Sequence, residues 1–167
     1  MNRRDVLRVS IDIDDVIADF VGEVVRRLGP PADWNGRNLI EMFPDRATEV
    51  RAFCIDADFH ARLPAVRGAR VGVEGIAANA RISYVSARLP AFADLTREWL
   101  LRWRFPAGDI FCLGRFGGGK ADCIKLQGAS VSIDDSQVAL DEIELLTVAT
   151  PIIFDAPWNR SREGLRM

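Results

Sequence analysis

The stretch Val9-Ser10-Ile11-Asp12-Ile13-Asp14-Asp15-Val16-Ile17-Ala18-Asp19 decides how the rest of the chain is read. A short apolar run ends in carboxylates, and open α/β sheets place their ligand-binding groups at the carboxyl ends of such strands. Asp12 and Asp14 stand two residues apart, so on an extended backbone both face the same opening. Like charges held this close disfavour joint ionisation, which a hard divalent cation relieves. Oxygen-only ligation with positions left open for phosphate suits Mg2+.

Outward from this segment, short continuous apolar runs alternate with longer periodic ones, the pattern of buried parallel strands separated by helices. Strands are predicted over 6–11, 82–85, 109–113, 129–133 and 151–154. Helices are predicted over 91–103, where Phe92, Leu95, Trp99 and Trp103 recur at helical spacing, and over 121–126 and 138–146. Trp99 and Trp103 read as core contacts. The expected fold is α/β, a Rossmann-like doubly wound parallel sheet of about five strands. About seventy residues separate the first two strands, against the dozen or more of an ordinary crossover. The excess predicts a small helical cap over 21–63, with helix-like character at 46–54, inserted into a core made of 1–20 and 64–167.

Composition narrows the function. At 167 residues the chain buries about 70% of its unfolded surface, enough for a core without disulfides or a structural metal. With 22 Lys plus Arg against 24 Asp plus Glu, and a net charge of -2, no strongly basic face for a nucleic-acid polymer is expected. His60, the single histidine, excludes His-rich zinc sites and the HExxH proteases, and with no partner in the sequence it reads as a surface or cap residue. Cys54, Cys112 and Cys123 lack CxxC spacing and read as reduced, mostly buried thiols, which fits the cytoplasm. The opening Met1-Asn2-Arg3-Arg4-Asp5 leads into too short an apolar run for a signal peptide, and no run approaches the roughly 20 residues of a membrane span.

A second acidic strand end, Ser130-Val131-Ser132-Ile133-Asp134-Asp135-Ser136, supports the metal reading. Neighbouring parallel strands would gather Asp12, Asp14, Asp134 and Asp135 at one sheet edge, with either acid of the second pair as ligand. A third strand ends in Val85-Ser86-Ala87-Arg88, offering a small hydroxyl to a phosphoryl oxygen, and Arg88 is a further candidate contact. Lys120 follows three glycines at a helix start, where its charge and the helix terminus both favour an anion. Lys125 is the alternative, and these are the only two lysines in the chain.

Three rival motifs fail. Asp12, Asp14 and Glu23 fit positions of an EF-hand loop, but Val16 and Ile17 occupy its centre. Gly114 to Lys120 matches GxxxxGK, yet Ala121 stands where a P-loop needs Ser or Thr. In a receiver domain the lysine follows the other site groups, whereas Lys120 precedes Asp134.

In this order, Asp12-Ile13-Asp14-Asp15-Val16, Ser86, Lys120 and Asp134-Asp135 resemble the haloacid dehalogenase superfamily of phosphatases over nearly the whole chain. Asp12 to Phe20, Ile133-Asp134-Asp135-Ser136 and Phe154-Asp155-Ala156-Pro157-Trp158-Asn159-Arg160 look like its 5'(3')-deoxyribonucleotidase branch. The resemblance implies a Mg2+-dependent phosphomonoesterase. Asp12 would be the nucleophile and Asp14 the acid and base; Ser86, Ala87, Arg88 and Lys120 would hold the substrate phosphate. The Asp12 carboxylate, the Asp14 carbonyl and the second acidic pair, foremost Asp135, would hold the metal. The substrate would be a small phosphomonoester, a nucleoside or deoxynucleoside monophosphate in the first place. Sugar-phosphate hydrolysis or mutase chemistry is the alternative, and a receiver-like or Mg2+-binding regulatory domain is the non-enzyme alternative. One departure is Asp15, where the pattern commonly has Gly.

Overall fold

The computed structural model describes residues 6–31, 33–34, 39–114 and 119–167. The Met1 to Asp5 segment and most of the Gly114 to Lys120 motif lie outside the described residues. Five parallel strands, β1 (Arg8–Ile11), β2 (Arg81–Ser86), β3 (Asp109–Cys112), β4 (Val131–Asp134) and β5 (Thr150–Ile153), form one sheet in the order β3-β2-β1-β4-β5. The expected α/β fold class is what the chain adopts. The order reverses at β1, so the crevice of a doubly wound sheet falls at the carboxyl end of β1.

Register then places the chemistry. Ile11 pairs with Tyr84 on one side and with Ile133 on the other. The next residue of β1 therefore emerges beside Asp134, and the Asp12 N–H donates to the Ile133 carbonyl at 2.9 Å. Strands β2 and β4 run one residue further than the apolar pattern indicates, so that Ser86 and Asp134 are themselves strand residues. The polar side chain hides this extension from a hydrophobicity reading, while the backbone ladder continues through it.

Between β1 and β2 lie α1 (Phe20–Leu28), α2 (Leu39–Met42), α3 (Ala47–Ile55), α4 (Ala57–Arg62) and α5 (Ala69–Ala77). Their apolar faces join the sheet in one core: Val24, Val50, Phe59 and Leu63 are buried with Ile11, Ile13 and Tyr84. Asp56 starts α4 by accepting the Phe59 N–H at 3.1 Å, which satisfies one otherwise orphaned donor. Helix α5 is legible only in the structure, because Gly72 and Gly75 lower its helix propensity. The remaining helices are α6 (Ala93–Arg102), α7 (Lys120–Gln127) and α8 (Gln137–Leu146). Trp99 is fully buried and donates from Nε1 to the Leu63 carbonyl at 2.8 Å, tying α6 to the segment after α4. Trp103, also expected in the core, follows the last turn of α6 and is 39% exposed. No helix among the described residues is long and apolar enough to cross a membrane.

Candidate active site

The carboxyl ends of β1, β2 and β4 and the start of α7 bring together Asp12, Asp14, Ser86, Arg88, Lys120, Asp134 and Asp135. The ammonium of Lys120, at the first position of α7, lies 2.8 Å from Asp12 Oδ2 and 2.7 Å from Asp134 Oδ2. The other Asp134 oxygen accepts the Ser136 N–H at 2.9 Å, so this acid is bound on both oxygens. Lys125 is exposed on the outer part of α7, and the choice between the two lysines is one of place: Lys120 alone is at the sheet edge.

Asp12, Asp134 and Asp135 are all buried, and each offers a carboxylate oxygen within 4.8 Å of the others. Burial raises the Asp12 carboxyl well above the ordinary range; Lys120 pulls against this, while Asp134 and Asp135 add to it. Burial and then the Asp134 charge push Asp135 up to about 7. Lys120 shows the complementary effect, since burial disfavours its charge but Asp12 and Asp134 outweigh it and raise the ammonium above its usual value. A site of hard oxygen donors whose joint ionisation is penalised fits a divalent cation such as Mg2+.

Asp14 is held apart from this group. Arg88 donates to it from Nε at 3.0 Å and from Nη2 at 2.6 Å, and its own side chain is 0% exposed. Arg88 also donates to Thr96 Oγ1 at 3.1 Å and lies over the Trp99 ring. Burial pushes the Asp14 carboxyl up, but the Arg88 charge and hydrogen bonds overcome it and hold Asp14 below the usual range. Ser86 is fully buried, and its Oγ accepts the Arg88 N–H at 3.1 Å, so the strand end and the guanidinium are set as one unit. Ala87 between them is exposed.

Several participants were not legible beforehand. Asp15 adopts φ 65, the left-handed region that Asp tolerates better than most residues, and its Oδ1 accepts the Val21 N–H at 2.7 Å. Burial and the Asp135 charge raise its carboxyl well above the ordinary range. Trp158, after β5, donates from Nε1 to Asp135 Oδ2 at 2.8 Å, and Asn159 donates to the Asp135 carbonyl at 2.9 Å. The Trp158 ring stacks with Trp34, with centroids 6.2 Å apart, so the Trp158 segment closes the Asp135 side of the site. His60, read from sequence as a surface or cap residue without a partner, lies within 21–63 but is not at the surface: it is 2% exposed, with Nδ1 4.0 Å from Asp14 Oδ1. Only the fold reveals that proximity, since the two residues come from different elements.

No family model matches the chain, and no curated protein matches it. Solved structures do. A haloacid dehalogenase-like hydrolase from Streptococcus pneumoniae superposes with a TM-score of 0.63 at 12% identity, covering 96% of this chain and 93% of that one. A haloacid dehalogenase-superfamily hydrolase of subfamily IA from Geobacter sulfurreducens gives 0.57 at 16% identity, over 97% and 91%. A Thermotoga maritima protein assigned as a β-phosphoglucomutase gives 0.54 at 14% identity, over 90% and 86%. The architecture is thus that of the haloacid dehalogenase-like hydrolases over nearly its full length.

Proposed function

We propose that this chain is a Mg2+-dependent phosphomonoesterase working through a phospho-aspartate at Asp12, with nucleoside or deoxynucleoside monophosphates as its first substrate class. The observation that carries this is Asp12 itself, buried at the switch point of the sheet with Lys120 at 2.8 Å and two further carboxylates in reach. Asp12, the Asp14 carbonyl and Asp135, with Asp134 beside them, would hold the metal, which when bound screens the acids and stabilises charge on the phosphoryl oxygens.

Asp12 attacks phosphorus, and Lys120 and Ser86 with the adjoining backbone hold the phosphoryl oxygens while charge builds. Asp14 protonates the departing oxygen and then takes a proton from the hydrolytic water. Arg88 favours its ionised form, so the base role comes easily. The acid role works against the Arg88 charge, which makes esters with good leaving groups the fastest substrates. Residues 21–63 act as the cap that chooses the leaving group, and the Trp34–Trp158 pair beside Asp135 supports one that carries an aromatic ring, such as a nucleoside. The reaction belongs to the cytoplasm, where cysteines outside disulfides stay reduced, and acts on small molecules rather than nucleic-acid polymers or membranes.

The likeness to the Thermotoga maritima protein favours a second reading, hydrolysis or transfer on sugar phosphates, because the catalytic groups would be shared. Phosphate release from p-nitrophenyl phosphate with and without Mg2+ tests both, and no turnover in either condition refutes them and leaves the receiver-like or Mg2+-binding regulatory reading. Asp12→Asn is expected to abolish turnover while the fold persists. A panel of nucleotide and sugar phosphates then decides between the two substrate classes.

A further inference from the structure

His60 lies on α4 among the rings of Phe20, Phe59 and Phe92, with centroids 5.4, 6.1 and 5.2 Å away. Its Nε2 is 3.3 Å from the Cys54 carbonyl oxygen. A carbonyl can only accept, so Nε2 carries the hydrogen and Nδ1 of the neutral ring is left as a bare acceptor. That Nδ1 is the one buried side-chain nitrogen or oxygen among the described residues without a hydrogen-bond partner. Such orphans are few in folded proteins, and one aimed at a candidate active site asks for a ligand. Burial drives the ring toward its neutral form against the opposing pull of Asp14.

The atom that Nδ1 faces, Asp14 Oδ1 at 4.0 Å, is also an acceptor. Two acceptors cannot bond each other, and the separation exceeds a direct hydrogen bond. It falls in the range where one oxygen bearing two hydrogens bridges both. We propose that His60 Nδ1 and Asp14 Oδ1 are the paired acceptors of the water that hydrolyses the Asp12 phosphoester, making His60 a further catalytic residue. This rests on the phospho-aspartate reading above. Nδ1 is sealed from solvent in this arrangement, so the water enters between the two acceptors in the space the alcohol vacates, with Asp14 still paired to Arg88. The water oxygen then bonds to phosphorus while the bond from phosphorus to the Asp12 oxygen breaks, leaving its electron pair on Asp12. One hydrogen passes as a proton to Asp14; the other stays on the new phosphate oxygen, hydrogen-bonded to Nδ1. His60 itself neither gains nor loses a proton. Its part is to orient the water lone pair toward phosphorus.

Two substitutions separate this from a packing role. In His60→Gln the side-chain amide nitrogen takes the place of Nε2 and keeps the Cys54 carbonyl bond, but nothing stands at Nδ1. In His60→Asn an amide stands at Nδ1 and the Cys54 bond is lost. Acid-quenched rapid mixing with p-nitrophenyl phosphate and Mg2+ reads phosphoenzyme formation and decay separately. For His60→Gln, formation at the wild-type rate and decay slower by about tenfold are expected, the effect of one lost hydrogen bond in the transition state. In the steady state kcat and KM then fall together with kcat/KM unchanged. His60→Asn is expected to restore most of the decay rate even where its melting temperature is the lower of the two. The proposal is overturned if His60→Gln slows formation as much as decay, if decay is unchanged, or if Gln rescues and Asn does not. Absence of any trapped phosphoenzyme in the wild type overturns instead the phospho-aspartate reading on which it stands.

Discussion

Arg88→Met tests whether the Asp14–Arg88 pair holds the site together. The guanidinium is wholly buried and makes bonds of 3.0 and 2.6 Å to Asp14 and 3.1 Å to Thr96. Removing one partner of a buried pair costs about 3–5 kcal/mol, because the other charge is left without compensation. The Asp14 side chain is 23% exposed, so water relieves part of that and the lower end, about 3 kcal/mol, applies. For a chain of this size that is a fall of about 6–12 °C in Tm. Asp14 has its pKa depressed in the fold, so its contribution is present above the ordinary carboxylate value and is lost as pH falls through the lowered one. Calorimetry should therefore find the gap between wild type and Arg88→Met widest at neutral pH and narrowing in acid. Combining Arg88→Met with Asp14→Asn removes both charges and should recover at least half of the loss. A fall below about 2 °C, or a gap independent of pH, would refute the claim that burial makes the pair stabilising.

Three further outcomes are expected. In the presence of a chelator, Asp135 has a folded pKa raised to about 7, so stability should decline as pH rises from the ordinary carboxylate value to about 7 and then level off. Asp135→Asn should flatten that decline in thermal melts across the same range, and an unaltered slope would exclude Asp135 as its source. Lys120→Arg should lower kcat on p-nitrophenyl phosphate by about 10²-fold or more, because a planar fork cannot replace a point charge between Asp12 and Asp134, while Lys125→Arg on the exposed part of α7 should leave kcat unchanged. Asp15→Asn keeps an oxygen for the Val21 N–H and tolerates φ 65, but removes a half-buried charge facing Asp135; it should raise the chelated protein's midpoint in urea by an amount worth about 1 kcal/mol, and a lowered midpoint would show that the charge is wanted.

How far the sequence reaches depends on the kind of information each feature carries. Strand positions were legible because burial on both faces leaves continuous apolar runs, and Asp12, Ser86 and Asp134 were legible because they end those runs. Helix α5 was hidden by its glycines, and the extension of β2 and β4 by polar side chains at the site. The partners of Asp14 were hidden for a different reason. Arg88 is 74 positions away and His60 comes from another element, so their placement follows from the packing of α4 and α6 against the sheet edge, not from any local pattern. The place of Trp158 was hidden in the same way, since nothing in its local sequence puts its Nε1 on Asp135, 23 positions away.

The two cations divide the site in a way that bears on its chemistry. Arg88 is committed to Asp14, whereas Lys120 is shared by Asp12 and Asp134, and among the described residues no cation lies within ion-pair distance of Asp15 or Asp135. Carboxylate oxygens no more than 4.8 Å apart repel by roughly 3.5 kcal/mol or more per ionised pair at an effective dielectric constant of about 20. A phosphate dianion therefore meets an excess of negative charge on the Asp12 side, while the Asp14 side is already balanced. Screening is needed where phosphorus would sit, and not where the alcohol would leave. On the proposed reading, a divalent cation held by Asp12 and Asp135 would supply that screening, and the Asp14 carboxylate, paired instead with Arg88, would be left to exchange protons with the leaving group and then with water.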